Sequence, residues 1–174
     1  EAIVAEALRA ARRGSSLKGK KIVVAAGPTR EPIDPVRYVT NGSSGKMGYA
    51  IAAAAARRGA LVAIVSGPVS LTAPFGTRVV PVETARQMRD AVVAERSGAS
   101  AVFMVAAVSD YAPTASPSKI KKTGRPLTLV LEEVPDILAE LGRTKGTEIL
   151  VGFAAETDDL IANAAKKLTG KNAD

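Results

Sequence analysis

The stretch "VTNGSSGKMG", residues 39–48, gathers three glycines, two serines, an asparagine and a lysine just ahead of an apolar helix pattern. A turn of this kind has the physics of anion binding. Its glycines let the backbone approach closely, Ser43 and Ser44 offer hydroxyls, and the first turn of the next helix points free N–H groups outward. It fits neither familiar phosphate loop. The P-loop pattern G-x-x-x-x-G-K-[ST] finds Gly45 and Lys46, but position 40 is Thr and position 47 is Met, so the magnesium-holding hydroxyl is missing. The dinucleotide fingerprint should follow the first strand tightly. Here Gly42, Gly45 and Gly48 are spaced G-x-x-G-x-x-G well beyond that strand, and Gly27 stands alone at its end. A serine-capped helix start after a flexible loop accounts for the same residues, so composition leaves both readings open.

Just before this loop stand Arg37 and Asn41: an asparagine can donate to a developing oxyanion, and an arginine grips phosphate with two N–H groups. Further on, "KIKKTGR" (119–125) packs three lysines and an arginine after a Pro/Ser-rich stretch, either a solvated loop or a basic flap for a triphosphate. Asp110 follows an apolar run, where a strand's carboxyl end belongs.

Two absences narrow the chemistry. The chain contains no Cys and no His, which removes thiolate catalysis, Ser-His-Asp triads, histidine bases and most zinc or iron sites. Carboxylates, amides, lysines, arginines, hydroxyls and backbone dipoles remain, a palette suited to phosphate chemistry, where positioning and charge stabilisation dominate. The net charge of +7 suggests nucleic acid at first sight, yet aromatic residues are only 3% of the chain, so base-stacking platforms are scarce. A basic site for small polyanions accounts for the charge as well.

The elements that must position these groups alternate. Strands are expected at 19–27, 61–68, 77–83, 100–111 and 148–155, with an edge or antiparallel strand at 126–134. Helices are expected at 46–60, closed by Gly59, at 84–98 behind a Thr84 cap, and in "PDILAELGRTKG" and "TDDLIANAAKKL". "PTREPIDPVRYVTNGSSG" reads as one long loop. The pattern predicts a single α/β domain, Rossmann-like, with a mostly parallel sheet and helices on both faces. Ligands then bind beyond the strands' carboxyl ends, where "GPTREP", "SGPVS", "AAVSDY" and "FAAET" lie. At 174 residues such a domain buries roughly 70% of its unfolded surface. The N-terminal "EAIVAEALRAARR" reads as a helix already under way and carries no signal-peptide pattern, so the chain is expected to be a piece of a longer protein.

Taken together, "AGPTREPIDPVRYVTNGSSGKMG", "AAVSDY", "KIKK", "PDIL", "VGFAAET" and "KKLTGKN" resemble, in order and spacing, the bacterial phosphopantothenate–cysteine ligases. The resemblance implies a ligase domain over residues 18–174, with residues 1–17 as the connecting segment from a flavin-dependent decarboxylase half. It implies attack of the 4′-phosphopantothenate carboxylate on the α-phosphate of CTP, then attack of cysteine's amine on the acyl-cytidylate with release of CMP. Asn41 resembles the family's catalytic asparagine, and Arg37 an arginine that reaches the substrate phosphate of the neighbouring subunit in a homodimer. Gly27, Ser43, Gly45 and Gly48 match positions that cradle the nucleotide. Ala106, Ala107 and Asp110 match a strand end between the two substrates, preceded on the nucleotide side by Met104 and Val105. Lys119 opens the KIKK motif that closes over the triphosphate. Pro135, Asp136, Ile137, Leu138 and Phe153 match the wall around the base, and Lys167, Lys171 and Asn172 match further nucleotide contacts.

The same resemblance implies magnesium carried with the CTP, FMN only in the decarboxylase half, a larger assembly with that half, a cytoplasmic setting, and neither nucleic acid nor membrane as partner. The metal ligands are not implied, and the family continues beyond the closing "KNAD" into further strands. CTP follows from the bacterial-type KIKK and PDIL motifs, since eukaryotic relatives favour ATP. Two rivals stand beside this reading. A nucleotide-dependent reductase would want a Tyr-x-x-x-Lys pair, and none of Tyr38, Tyr49 or Tyr111 has Lys four positions on. A basic nucleic-acid-binding module would show affinity that falls steeply with salt.

Overall fold

A computed structural model describes residues 16–154 and 158–174. In chain order they form β1 (Lys21–Ala26), β2 (Arg30–Pro32), β3 (Tyr38–Thr40), α1 (Lys46–Arg57), β4 (Leu61–Ser66), β5 (Thr77–Pro81) and α2 (Ala85–Arg96). Then come β6 (Ala101–Met104), β7 (Tyr111–Pro113), β8 (Leu131–Glu133), α3 (Ile137–Arg143), β9 (Ile149–Gly152) and α4 (Leu160–Gly170). Residues 1–15, the bulk of the expected connecting segment, and Ala155, Glu156 and Thr157 of "FAAET" lie outside the described residues.

β1, β4, β5, β6 and β9 make one parallel sheet in the order β5-β4-β1-β6-β9. Continuous Val, Ile and Ala runs suit this place because both faces of a parallel sheet are covered. On one face Ile22, Val24, Val62 and Ile64 pack against Tyr49, Ala52 and Ala55 of α1. On the other, Val23, Val65 and Val102 pack against Met88 and Val92 of α2 and Ile137 and Leu141 of α3. The expected α/β architecture, with helices on both faces, is what forms.

The helix punctuation follows the local residues. Gly59 takes a left-handed φ of 89° after α1, donating to Ala56 O at 3.0 Å while Ala60 donates to Ala55 O at 3.2 Å, the paired bonds of a Schellman end. Thr84 caps α2 and exchanges bonds with Gln87 in a capping box. Asp136 caps α3 through Ala139 N at 3.0 Å.

Three expectations are corrected. The 28–45 segment is not all loop, because β2 and β3 pair antiparallel around a tight turn. That turn is built by Asp34, whose carboxylate accepts from Val36 N and Arg37 N at 2.9 Å. The strand predicted over 100–111 leaves the sheet after Met104, and Tyr111 opens a separate short strand, β7, that pairs with β8. Of the strand expected at 126–134 only Leu131–Glu133 pairs, antiparallel as foreseen.

Arginine–glutamate pairs hold the second face together. Arg89 of α2 donates to both Glu140 oxygens at 2.8 and 2.6 Å, and Arg96 donates to Glu148 at 2.5 Å. The Arg89 guanidinium holds Glu140 below the usual carboxylate range. Burial pushes Glu148 up, but its own backbone N–H and Arg96 more than offset that, so it too sits low. Carboxylates lowered by folding stabilise the native state above their ordinary value and lose that contribution as protons bind below it. The urea midpoint should therefore hold level from about pH 8 to about pH 6, and fall once the pH passes below the ordinary glutamate value of 4.5. A midpoint that rises on acidification through this range would contradict the assignment.

Candidate active site

The chain builds β1, β4 and β5 outward, then returns across β1 to lay β6 and β9 on the other side. Loops after β1 and β6 therefore part in opposite directions and open a crevice at the switch point. A cleft of about 630 Å³ lies there. A larger cavity of about 960 Å³ at the opposite end is lined mainly by apolar side chains such as Ile22, Ile51 and Phe103 and holds no constellation for chemistry.

One wall of the cleft is the segment after β6. Val105 N donates to Ala25 O at 3.0 Å and Ala107 N to Gly27 O at 2.9 Å, so the segment stays stitched to β1's end after leaving the sheet. Thr29, fully buried, returns the favour: its N–H reaches Ala107 O at 3.3 Å and its hydroxyl accepts from Ser109 N at 3.0 Å. Asn41 is held from the other side, donating through Nδ2 to Val108 O at 2.9 Å, and its amide oxygen has no protein partner among the described residues. Ala106 and Ala107 add little bulk, leaving the cleft open to a ligand backbone.

The facing wall is the turn into α3. Pro135, Ile137 and Leu138 line it, Phe153 stands at its end half exposed, and Met104 forms part of the floor. Lys167 and Lys171 reach in from α4 and its end. Lys171 Nζ lies 2.7 Å from Asp136 Oδ2. Burial raises the Asp136 pKa, but the bonds from Lys171 and Ala139 N outweigh it and keep the carboxyl below its usual range. The cleft thus offers an amide at one side, a small-residue strand end, and ammonium groups at the other.

Of the residues singled out from sequence, Asn41, Met104, Ala106, Ala107, Asp110, Pro135, Asp136, Ile137, Leu138, Phe153, Lys167 and Lys171 converge on this cleft. The others lie around it. Gly45 caps α1 with φ 73° and no side-chain bond, while Ser43 Oγ merely accepts from Gly45 N at 3.3 Å; the serine-cap reading of this loop is therefore corrected and the helix end stays open. Gly27 lies beside Gly45, a Cβ on Gly45 coming 3.5 Å from Gly27 Cα. Gly48 is buried, and a Cβ there would stand 2.5 Å from Ala26 Cβ, so it sets how closely α1 packs on β1. Val105 turns to the opposite face and packs in the α1 cluster. Asn172 donates to Gly142 O at 3.0 Å. Arg37 and Lys119 lie beyond the cleft lining, at a turn where Arg37 Nη2 donates to Ile120 O at 2.5 Å.

The "SGPVS" loop, expected in the shared crevice, lines a separate hollow near β4 and β5 through Ser66, Gly67, Pro68 and Val69. Sequence reasoning missed Thr29, Ser109 and Glu133, whose place depends on pairings across the chain. It also missed Asp34. An Asp before Pro signals a turn, but nothing local shows that its carboxylate also accepts from Ile120 N at 3.1 Å. Burial works against that carboxylate's charge, yet the N–H groups of Val36 and Ile120 and the Arg37 guanidinium hold it far below the usual range.

Fold and site define a doubly wound α/β domain with its working crevice at the switch point. The chain belongs to the family described as DNA/pantothenate metabolism flavoprotein C-terminal domain, whose pattern matches residues 17–174. It is 49% identical over 173 residues to the coenzyme A biosynthesis bifunctional protein CoaBC of Bacillus subtilis (strain 168), covering 98% of this chain and 43% of that relative. The chain thus spans less than half the length of this bifunctional protein. Its backbone matches the crystal structure of the C-terminal domain of a CoaBC with a TM-score of 0.83 and 46% identity, over 92% of this chain and 76% of the other. A Cab2 mutant in complex with phosphopantothenate-cysteine shares the fold, with a TM-score of 0.73 at 20% identity over 88% of this chain and 70% of the other.

Proposed function

We propose that this domain is a CTP-dependent ligase that condenses 4′-phosphopantothenate with L-cysteine, as one half of a bifunctional coenzyme A biosynthesis protein. The observation that carries the reading is Asn41, pinned to Val108 O in a cleft whose far side presents Phe153, the Pro135–Leu138 turn and two lysines. Membership of the CoaBC lineage supports it. Cab2, at 20% identity, adds the shared fold.

In this reading the nucleotide base lies against Phe153 and Leu138, with Lys167 and Lys171 beside its phosphates. The phosphopantothenate carboxylate displaces pyrophosphate from the α-phosphorus, forming a P–O bond as another breaks. Cysteine's amine then attacks the acyl carbon, CMP leaves with the bonding pair, and the amine sheds its proton. Neither step needs a protein nucleophile, so the site's work is to hold two anionic substrates together and offset their charge. Arg37 would meet the substrate phosphate of a partner subunit, and Lys119 the triphosphate.

A homodimer fits the exposed apolar side chains on the outlying elements, Val36, Tyr38, Tyr111, Leu129 and Val130 among them. Magnesium enters as the triphosphate's own counterion, since among the described residues no three acidic side chains gather as a metal cage. FMN belongs to the decarboxylase half of the longer protein. No helix among the described residues is long and apolar enough to cross a membrane, and we place the enzyme in the cytoplasm.

Pyrophosphate release with CTP, magnesium and 4′-phosphopantothenate, measured with and without cysteine and with ATP as control, tests the reading. Release should require CTP, and CMP should appear once cysteine is added. A folded dimer of the complete ligase half that releases no pyrophosphate would overturn it.

A further inference from the structure

We propose that Asp34 is a positioning residue that seats the basic arm, residues 119–125, by clamping the backbone of Ile120 jointly with Arg37. The carboxylate has two separate tasks. Oδ1 accepts from Val36 N and Arg37 N, which is the whole of a local turn. Oδ2 does something the turn does not require: it accepts from Arg37 Nε at 3.0 Å, Arg37 Nη2 at 2.5 Å and Ile120 N at 3.1 Å. Arg37 Nη2 in turn donates to Ile120 O at 2.5 Å, so both polar groups of one arm peptide position are taken. Ser116 N, bonded to Ile33 O at 2.8 Å, is the other tie between this turn and the arm's root.

The clamp matters because little else holds the arm. Residues 121–130 are exposed and make no hydrogen bond to the rest of the described chain. Lys119, Lys121, Lys122 and Arg125 carry like charges that repel one another, so the arm needs a fixed tether at its root, and the pair of Arg37 with the buried Asp34 supplies it. The clamp also links the arm to ligand. The Arg37 side chain is 41% exposed and its Nη1 has no partner among the described residues, so an anion on that edge meets a guanidinium already holding the arm. Asp34 thereby presents arm and arginine as one preformed anion-binding unit, with its cost of ordering met on folding and not on binding.

This inference rests on the ligase reading for its substrate, CTP, but not for its geometry. Asp34→Asn separates the two tasks, since the remaining carbonyl keeps the turn while the amide opposes Ile120 N–H and the guanidinium. In the purified full-length protein, limited trypsin digestion followed by mass spectrometry should show first cuts after Lys121 and Lys122 appearing at least about tenfold faster in Asp34→Asn. The KM for CTP should rise by about tenfold while kcat changes little, and inorganic triphosphate should bind more weakly by a similar factor. Ile120→Pro, which removes the arm's N–H and leaves the Asp34 turn untouched, should reproduce these effects even if Asp34→Asn folds poorly. Arm cleavage and triphosphate binding at wild-type levels in Ile120→Pro, or in a folded Asp34→Asn, would overturn the clamp. Should the wild-type protein release no pyrophosphate from CTP, the ligase reading fails alone, and the trypsin and triphosphate results still decide this inference.

Discussion

In the proposed ligase reaction, Asn41→Asp should still form acyl-cytidylate yet release condensed product about 10²–10³-fold more slowly than the wild-type protein. Asn41 is exposed at the cleft and carries no core packing, so the variant should fold normally. Its amide nitrogen, 2.9 Å from Val108 O, is what fixes the side chain. An ionised aspartate can only accept, so it would face that carbonyl with a negative charge and swing away. The first half-reaction relies on groups that hold phosphates and should survive. The second passes through an acyl centre that gathers negative charge, where an amide helps and a carboxylate opposes. Rapid quenching with labelled CTP separates the two, because intermediate should accumulate in the variant. Equal loss of both half-reactions would show that Asn41 serves binding in general and not the acyl transfer.

A second large effect is expected far from any substrate. Gly67→Ala should cost about 3 kcal/mol or more of stability, beyond the usual range for a single added methyl. A Cβ on Gly67 would stand 1.7 Å from Pro28 O, and that carbonyl is backbone, not a movable side-chain tip. Neither side can yield easily, since Gly67 N donates to Ala26 O at 2.9 Å and Ser66 Oγ to Gly67 O at 2.8 Å. Pro28 also bridges to Ala107 on the cleft wall, so relief of the clash would displace the site. In thermal unfolding, the loss corresponds to a fall in Tm on the order of 6–12 °C. Gly42→Ala, with no atom within 4 Å of the new methyl, is the control and should stay within about 0.5 kcal/mol of wild type. A Gly67→Ala protein with wild-type Tm would mean that the β1 and β4 loops are not packed as described.

What the sequence determined by itself was whatever is written in local periodicity and local chemistry. The apolar runs at 19–27 and 61–68 read as buried strands, Thr84 as the cap that opens a helix, and Gly59 as the residue that ends one, and all four form. The absence of Cys and His excluded whole classes of catalyst before any fold was known. Motif order was enough to bring Asn41, the 106–110 segment, the Pro135–Leu138 turn and Lys171 to one cleft.

Tertiary structure decided everything that depends on two distant segments meeting. The hairpin of β2 and β3 hides in a proline-rich stretch because its register comes from Asp34 and not from alternation. Val105 and Met104 are neighbours of similar character, yet one enters the α1 core and the other the cleft, since side chains alternate across a strand and only the sheet defines which face is which. Thr29 and Asp34 look like ordinary turn residues. Their hydroxyl and carboxylate find partners 80 and 86 positions away, and no local propensity encodes a bond across that distance. Such bonds arise only when packing removes water and a buried polar group must be satisfied by whatever the fold has carried to it.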